Sequence, residues 1–172
     1  MQLIELRIDQ IPAYMQEMQE AFQKGYEAKF GASNELVLPF SDIRESLHAP
    51  HAIAYEVIEG EERLGGAIVA FSDDGEHGDL HFLYTRVGKQ NRGVASFAWR
   101  TIEALHPDVK VWETHTPYFD TRNIHFYINR CGFHAVEFFN AHHPDPNYFD
   151  LREVNPNGSD GFFRFEKILK SS

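Results

Sequence analysis

The chain of 172 residues has a single cysteine, Cys131, and no apolar run that approaches the roughly 20 residues needed to span a bilayer. One cysteine excludes an internal disulfide and is typical of proteins in a reducing compartment. The first residues, Met1 to Glu5, lack the pattern of a signal peptide. We therefore expect a cytoplasmic protein with no membrane partner.

Positive charge is also scarce. The chain has 16 Lys and Arg residues against 26 Asp and Glu residues, which gives a formal net charge of −10. A protein that binds nucleic acid is typically basic where it contacts the phosphates, so this balance argues against a nucleic-acid partner. The same balance tolerates a cationic or amine-bearing substrate without requiring one.

Apolar and aromatic side chains, in contrast, are plentiful. Hydrophobic residues make up 42% of the chain, and 15 of the residues are phenylalanines. This content is sufficient for one substantial core, and no repeat, low-complexity tract or linker divides the chain. We expect a single domain over residues 1–172.

The most informative stretch runs from Leu80 to Leu105. The residues from Leu80 to Thr85 follow a period of two, which predicts a strand. From Val94 to Leu105 apolar residues recur three and four positions apart, which predicts an amphipathic helix. A short polar loop, residues 88–93, joins the two elements.

This loop has the composition of an anion-binding site. The first amides of a helix have no partner within the helix, and their dipoles favour a phosphate or pyrophosphate group. Lys89 and Arg92 add positive charge, and Gly93 lets a ligand approach the backbone. An ordinary strand–turn–helix with a solvated basic loop is the alternative.

Periodicity and turn residues predict the remaining elements. At the N-terminus we expect a strand over Gln2–Ile8, a helix capped by Asp9, an irregular segment over Gly25–Phe40, and a second short helix from Ser41. The polar connection Asn140–Asp160 is long for a structureless loop, and such loops usually act as lids, interface arms or mobile segments. Further strands are expected over His51–Ile58, Leu64–Phe71, Val109–Thr114, Phe133–Phe139 and Gly161–Leu169, with a short helix over Ile124–Cys131.

Two motifs lie at the junctions of these elements. The pattern Gln90-x-x-Gly93-x-Ala95 resembles the Gln/Arg-x-x-Gly-x-Gly/Ala signature with which the GNAT acyltransferase superfamily binds the pyrophosphate of acetyl-coenzyme A. The stretch from Asn123 to Phe133 is similar to the family's Asn…Phe-Tyr…Gly-Phe helix. Five residues separate its tyrosine from the phenylalanine of Gly-Phe, one more than the family usually has.

The order of the predicted elements is that of the GNAT superfamily, and the resemblance covers nearly the whole chain. It implies an α/β fold of the α+β kind, with a mixed, mostly antiparallel central sheet of about seven strands flanked by about four helices. In this fold the Leu80–Thr85 strand splays from the Val109–Thr114 strand at the cofactor site.

The resemblance also implies a function. We expect an N-acetyltransferase that moves an acetyl group from acetyl-coenzyme A to a primary amine by direct attack, on a small-molecule or peptide acceptor. Tyr127 would act as the general acid that protonates the coenzyme A thiolate, and Asn123 would contact the pantetheine arm. Backbone groups near Tyr84, Thr85 and Val87 would bind that arm as an added strand, and the amides of Gln90, Asn91, Arg92, Gly93, Val94 and Ala95 would bind the pyrophosphate.

The general base is less constrained. Glu113 and His81 lie on the two central predicted strands and are the candidate bases, acting directly or through water. His115 is the next candidate. For Glu113 and for His81 alike, the alternative is a strand side chain that faces solvent and takes no part in the reaction. Tyr127 has a structural alternative, because it shares the apolar stripe of its helix with Ile128, and Asn123 is equally suited to cap that helix.

Two further alternatives remain open. A non-catalytic coenzyme A-binding or interaction protein would keep the same fold, and the resemblance also allows a homodimer. The adjacent His142 and His143, with His134 and Glu137, could be read as metal ligands. Adjacent histidines in a proline-rich loop seldom point the same way, and no cysteine pair supports a zinc site, so we expect no metal.

Overall fold

The structure of the protein is a computed structural model that describes residues 1–146 and 161–169. Most of the predicted Asn140–Asp160 connection, residues 147–160, lies outside the described residues. No helix within the described ranges is long and apolar enough to cross a bilayer. The strands are β1 (Gln2–Glu5), β2 (Ile53–Glu59), β3 (Glu62–Phe71), β4 (His77–Thr85), β5 (Val111–Pro117), β6 (His134–Phe139) and β7 (Phe162–Ile168), and the α-helices are α1 (Ile11–Phe30), α2 (Phe40–Leu47), α3 (Val94–Leu105) and α4 (Thr121–His125).

The seven strands form one sheet in the order β1-β2-β3-β4-β5-β7-β6. Every neighbouring pair is antiparallel except β4 and β5, which run parallel. The predicted mixed, mostly antiparallel sheet with four helices is therefore confirmed. The parallel pair follows from the helical crossover α3, because two parallel neighbours need a connection long enough to return to the same end of the sheet.

The two faces of the sheet bury different helices. Ala67 and Val69 of β3 pack in one cluster with α3, whereas Ile68 between them packs in a second cluster with α1 and α2. This division follows from the alternation of side chains along a strand. The helix α3 lies on its face through Val94, Ala98, Trp99 and Ile102, all of which are buried.

The N-terminal predictions need two corrections. The strand β1 ends at Glu5 rather than at Ile8, and Ile8 begins a short 3-10 helix with 86% of its surface exposed. The backbone amide of Arg7 donates to the Glu56 carboxylate at 3.0 Å, so a side chain takes the place of a ladder partner there. Asp9 lies inside the 3-10 helix and does not cap α1, whose N-cap residue is Gln10.

The segment from Gly25 to Phe40 is also more regular than predicted, because α1 continues through Gly25 to Phe30. Tyr26 is buried, and its ring contacts the ring of Phe119 with centroids 5.8 Å apart. Tertiary contacts of this kind offset the roughly 1 kcal/mol that a glycine costs in a helix interior.

Candidate active site

The strands β4 and β5 separate part of the way along their length. They are paired only from His77 and Val111 to Leu80 and Thr114, although β4 continues to Thr85. At the last pair, Thr114 Oγ1 donates a hydrogen bond to the Leu80 carbonyl oxygen at 2.9 Å. We call this point the fork, and the space beyond it the gap. The predicted splay of these two strands is therefore present in the structure.

A β-bulge in β4 coincides with the fork. The adjacent residues Ile68 and Val69 of β3 pair with Phe82 and Leu80 of β4. His81, which lies between Leu80 and Phe82, therefore has no partner of its own. An extra residue of this kind bends its strand and increases the local twist, which turns β4 away from β5. The sequence pattern did not reveal the bulge, because the strand reads as a regular alternation.

Beyond the fork, β4 presents unpaired backbone groups to the gap. The amide of Arg86 donates to the Leu64 carbonyl at 2.9 Å, and Tyr84 is paired with Gly66. Because bonding direction alternates along a strand, the backbone groups of Thr85, the last residue of β4, are directed at the gap instead. Of the three residues predicted beside the pantetheine arm, Thr85 can therefore use its own backbone groups, whereas Tyr84 precedes it and pairs with β3, and Val87 lies in the turn after β4.

The loop after β4 leads to an uncapped helix N-terminus. Gly93 is the N-cap residue of α3 in a left-handed conformation, with φ of 75°, and no side chain caps the helix. The amide of Phe97 is the first to find a helical partner, the Gly93 carbonyl. No described residue accepts a hydrogen bond from the backbone amides of residues 90–96. These are the amides predicted to bind an anion, those of Gln90, Asn91, Arg92, Gly93, Val94 and Ala95.

The positive charge around this loop is less than predicted. Lys89 forms an ion pair with Glu62, and the Lys89 ammonium holds the pKa of that carboxyl below its usual value. The side chain of Gln90 accepts a hydrogen bond from the Gly88 amide at 2.9 Å, so it holds the loop in shape. Arg92 is exposed at the start of α3.

Tyr127 lies on a π-helical turn, Phe126–Arg130, that directly continues α4. The wider turn is closed by a hydrogen bond from the Cys131 amide to the Phe126 carbonyl at 3.1 Å. A π-turn holds one more residue than an α-turn, so it absorbs the extra residue that precedes Gly132-Phe133. Tyr127 and Cys131 are both buried as predicted, whereas Ile128 is 38% exposed and the prediction that it faces the core is wrong.

The phenol of Tyr127 lies next to the fork. Burial raises its pKa, and a hydrogen bond with the side chain of Thr114 acts in the opposite direction with a smaller effect. The phenol is therefore protonated at neutral pH and can donate a proton or a hydrogen bond to a group placed in the gap.

Asn123 does not cap its helix. The N-cap residue of α4 is Asp120, whose Oδ1 accepts from the Asn123 amide at 3.1 Å and whose Oδ2 accepts from the Asn123 side chain at 2.8 Å. Burial raises the pKa of Asp120. The capping alternative for Asn123 was therefore wrong by three positions, and contact of Asn123 with a ligand stays a prediction.

Two histidines occupy the first position beyond the fork on each strand. His81 Nδ1 lies 2.8 Å from Oγ of Ser46 in α2, and burial lowers the pKa of His81, with a further contribution from His115. Burial likewise lowers the pKa of His115, against the opposing effects of Glu113 and Asp145. Both imidazoles are therefore mostly neutral at pH 7 and can accept a proton.

Glu113 is in a different situation. Its Oε1 accepts from Arg164 Nη1 at 2.9 Å. Burial, the largest single influence, raises the pKa of Glu113, but hydrogen bonds with Arg164 and Asp79 and the nearby charges of His115 and Arg164 together outweigh it, and the pKa is lowered. Asp79, one strand away, shows the converse: burial and the Glu113 carboxylate raise its pKa to about 6.

Glu113 and His115 border a cavity of about 290 Å³ on the face of the sheet opposite α3. Its walls come from three strands and the start of the segment after β6. No periodicity or local motif connects them, and only the strand order β5-β7-β6 brings them together. The lining residues are Glu113, His115, Glu137, Phe139, Asp145, Pro146 and Arg164.

One group of side chains has the composition of a metal site. Potential ligand atoms of His77, Asp79 and Glu113 all lie within 4.8 Å of one another. The three residues are half-buried, and Glu113 is already bound by Arg164. Of the histidines that the sequence pattern offered as ligands, His143 instead contacts Glu137, with Nε2 and Oε2 2.7 Å apart.

Comparison with known proteins places these features in context. The model of the acetyltransferase (GNAT) family matches residues 12–133. A curated relative, described as uncharacterized protein YrkN of Bacillus subtilis (strain 168), is 39% identical over 164 residues, which cover 93% of this chain and 89% of the relative.

Solved structures are similar at the level of the fold. The ribosomal-protein-S18-alanine N-acetyltransferase from Escherichia coli aligns with a TM-score of 0.71 at 11% identity, over 99% of this chain and 95% of that chain. The PaiA N-acetyltransferase from Thermoplasma acidophilum, in complex with coenzyme A, aligns with a TM-score of 0.65 at 14% identity, over 98% of each chain. At these identities the likeness concerns the fold and not the acceptor.

Proposed function

Because this chain belongs to the GNAT acetyltransferase family, we propose that it transfers the acetyl group of acetyl-coenzyme A to a primary amine. One observation carries the proposal. The gap between β4 and β5 opens beside the uncapped N-terminus of α3, so an extended thioester arm and a diphosphate can be bound by adjoining parts of one strand–loop–helix unit.

The cofactor would bind largely through backbone groups. The amides of residues 90–95 have no acceptor among the described residues, which supports their use by the pyrophosphate. The pantetheine arm would lie in the gap and hydrogen-bond with the backbone at Thr85 and Val87, as an added strand does. Asn123, in the helix that follows β5, would contact the same arm.

The reaction then needs two proton transfers. The lone pair of the acceptor nitrogen attacks the thioester carbonyl carbon, a C–N bond forms, and the C–S bond breaks to release the coenzyme A thiolate. In our proposal Tyr127 gives its phenolic proton to that thiolate, while a base takes one proton from the acceptor nitrogen. Products are the amide and the free thiol, and the base returns its proton through solvent to restore Tyr127.

His81 is the better supported of the two predicted bases. Its lowered pKa keeps it neutral at pH 7, and it sits at the fork on the face opposite Tyr127. If Nδ1 donates to Ser46, then Nε2 is the basic nitrogen. Glu113 is hydrogen-bonded to Arg164 and has a lowered pKa, so it is a weaker base and would act at most through a water molecule.

The decisive experiment removes one hydroxyl. Tyr127→Phe should lower kcat by about 100- to 10,000-fold, the usual range for a lost acid–base group, with little change in the Kd for acetyl-coenzyme A. Tyr55→Phe is the matched control: Tyr55 has the same 5% exposure, and its hydroxyl oxygen lies instead 2.7 Å from Nε2 of His106, at the C-terminal end of α3.

Thiol release and isothermal titration measure the two quantities. An unchanged kcat in Tyr127→Phe would remove the tyrosine from the mechanism. Binding of acetyl-coenzyme A without turnover of any amine would favour the second candidate, a non-catalytic coenzyme A-binding protein on the same fold.

A further inference from the structure

We propose that the acceptor is a small aliphatic amine with a second positively charged nitrogen, and that this second nitrogen is held by the carboxylate-lined cavity on the face of the sheet opposite α3. This inference rests on the proposed acetyl transfer, because it names the class of molecule that reaches the fork. The charge of the cavity, its position relative to the fork and its size support this class of acceptor.

The cavity wall carries an excess of negative charge. Among the described lining residues Arg164 is the one guanidinium, and it hydrogen-bonds with two carboxylates of the wall, Glu113 at 2.9 Å and Glu137 at 3.2 Å. Asp145 is the third carboxyl group of that lining, with a side chain only 3% exposed. One guanidinium among three carboxyl groups leaves this described part of the wall negative.

The cavity also lies next to the fork. His115 lines the cavity and directly follows Thr114, the last residue of β5 that pairs with β4, so the cavity begins where the gap begins. An amine whose nitrogen reaches the fork would therefore extend its chain past His115 toward Glu113 and Glu137. A positively charged group at the far end would find carboxylates there, and a negatively charged group would be repelled.

The size of the cavity and its apolar wall also suit such an amine. A volume of about 290 Å³ lies at the lower limit of small-molecule sites, which span roughly 300–1,000 Å³. Phe139 is 4% exposed and stacks on the ring of His143 with centroids 5.4 Å apart, so its ring is fixed in place. Together with Pro146 it offers an apolar wall against which methylene groups can pack.

Three acceptors of equal length test the proposal by the rate of thiol release. These are 1,4-diaminobutane, 1-aminobutane and 4-aminobutanoate, which end in a positive, a neutral and a negative group. The monoamine cannot form the charged hydrogen bond that the second nitrogen of the diamine forms, so we expect kcat/KM to be about 10- to 100-fold higher for the diamine. 4-Aminobutanoate should be the poorest acceptor, because its carboxylate would be repelled by the cavity wall.

Two variants of one ion-pair network locate the effect. Glu137→Gln should lower the diamine-to-monoamine ratio of kcat/KM, since it removes a charge from the cavity wall. Glu166→Gln is the control, because Glu166 binds the same guanidinium but does not line the cavity. The ratio should stay at its wild-type value in Glu166→Gln.

Several results would overturn the inference. They are equal kcat/KM for the three acceptors, equal ratios in the two variants, or acetyl-coenzyme A binding with turnover of none of the three. Activity that is lost with a chelator and restored by a divalent cation would assign these carboxylates to a metal at His77, Asp79 and Glu113. Failure to bind acetyl-coenzyme A would instead reject the proposed function itself.

Discussion

The carboxylate of Glu56 is fully buried between two guanidinium groups. Arg7 Nε donates to its Oε2 at 3.0 Å, and Arg63 Nη1 donates to its Oε1. Arg63 also binds Glu17 of α1, so the network ties the segment after β1 and the helix α1 to the strands β2 and β3. Breaking such a network leaves a buried charge without its partner.

We expect Glu56→Ala to lower the free energy of unfolding by about 3–5 kcal/mol, as for other broken buried ion pairs. Urea denaturation measures the change. Glu59→Ala, at an exposed position of the same strand, should stay within about 0.5 kcal/mol of the parent. Equal effects of the two substitutions would contradict a structural role for the network.

The free energy of unfolding of the parent and of Glu56→Ala should also differ in its dependence on pH. Burial would raise the pKa of Glu56, but hydrogen bonds from Arg7 and Arg63 outweigh it and the folded-state pKa is lowered. The stabilisation is therefore present above the unfolded-state pKa and is lost as the pH falls through the folded-state pKa.

His81 makes a prediction about activity rather than stability. Because burial lowers its pKa below 6.5, kcat/KM should rise with pH through a midpoint below 6.5 and then level off. His81→Gln should remove this acid limb and lower kcat/KM by about 100-fold or more.

Other nearby groups titrate in the same range and need a control. Asp79 has a pKa raised to about 6 by burial and by Glu113, and the pKa of His115 is also lowered. The acid limb should persist in Asp79→Asn and in His115→Gln. If it disappears in either of these variants but persists in His81→Gln, then His81 is not the base.

At the scale of elements, the loop between β4 and α3 carries the sharpest prediction. Gly93→Glu should weaken acetyl-coenzyme A binding by about 100-fold or more, because it sets a carboxylate against a pyrophosphate. The substitution is also strained, since Gly93 has φ of 75°, at a cost of about 1–2 kcal/mol.

Gly75→Glu separates the two effects. Gly75 has φ of 74° and open space for a side chain, as Gly93 has, but it lies in the turn before β4, at the opposite end of that strand. The control should lose similar stability and retain the affinity for acetyl-coenzyme A, measured by titration. Retained affinity in Gly93→Glu would remove the loop from the binding site.

Local patterns predicted this strand–loop–helix unit because all its determinants are close together in sequence. The end of β4 and the start of α3 follow from a change of period, although β4 begins at His77 rather than at the predicted Leu80. The free amides follow from the start of a helix. The bulge at His81 and the π-turn at Tyr127 could not be predicted in this way. Each is a one-residue irregularity that packing against other elements stabilises, and the only signal for the π-turn was the extra residue before Gly132.

At the scale of the whole molecule, the order of the elements was predictable and the neighbours in the sheet were partly so. The meander of β2, β3 and β4 follows from its short turns. The placement of β7 between β5 and β6 depends on pairing across long stretches of chain. Residues that line the cavity come from those three strands, so the candidate acceptor site was visible only in the folded structure.

The short parallel ladder has a mechanical consequence. Within the described sheet, four residue pairs between β4 and β5 join one half, β1 to β4, to the other half, which consists of β5, β7 and β6. A cofactor arm bound between the diverging strands would extend this connection beyond the four pairs. Binding of the donor would then restrict movement of one half of the sheet relative to the other before the acceptor binds, so the affinities for the two substrates would be coupled.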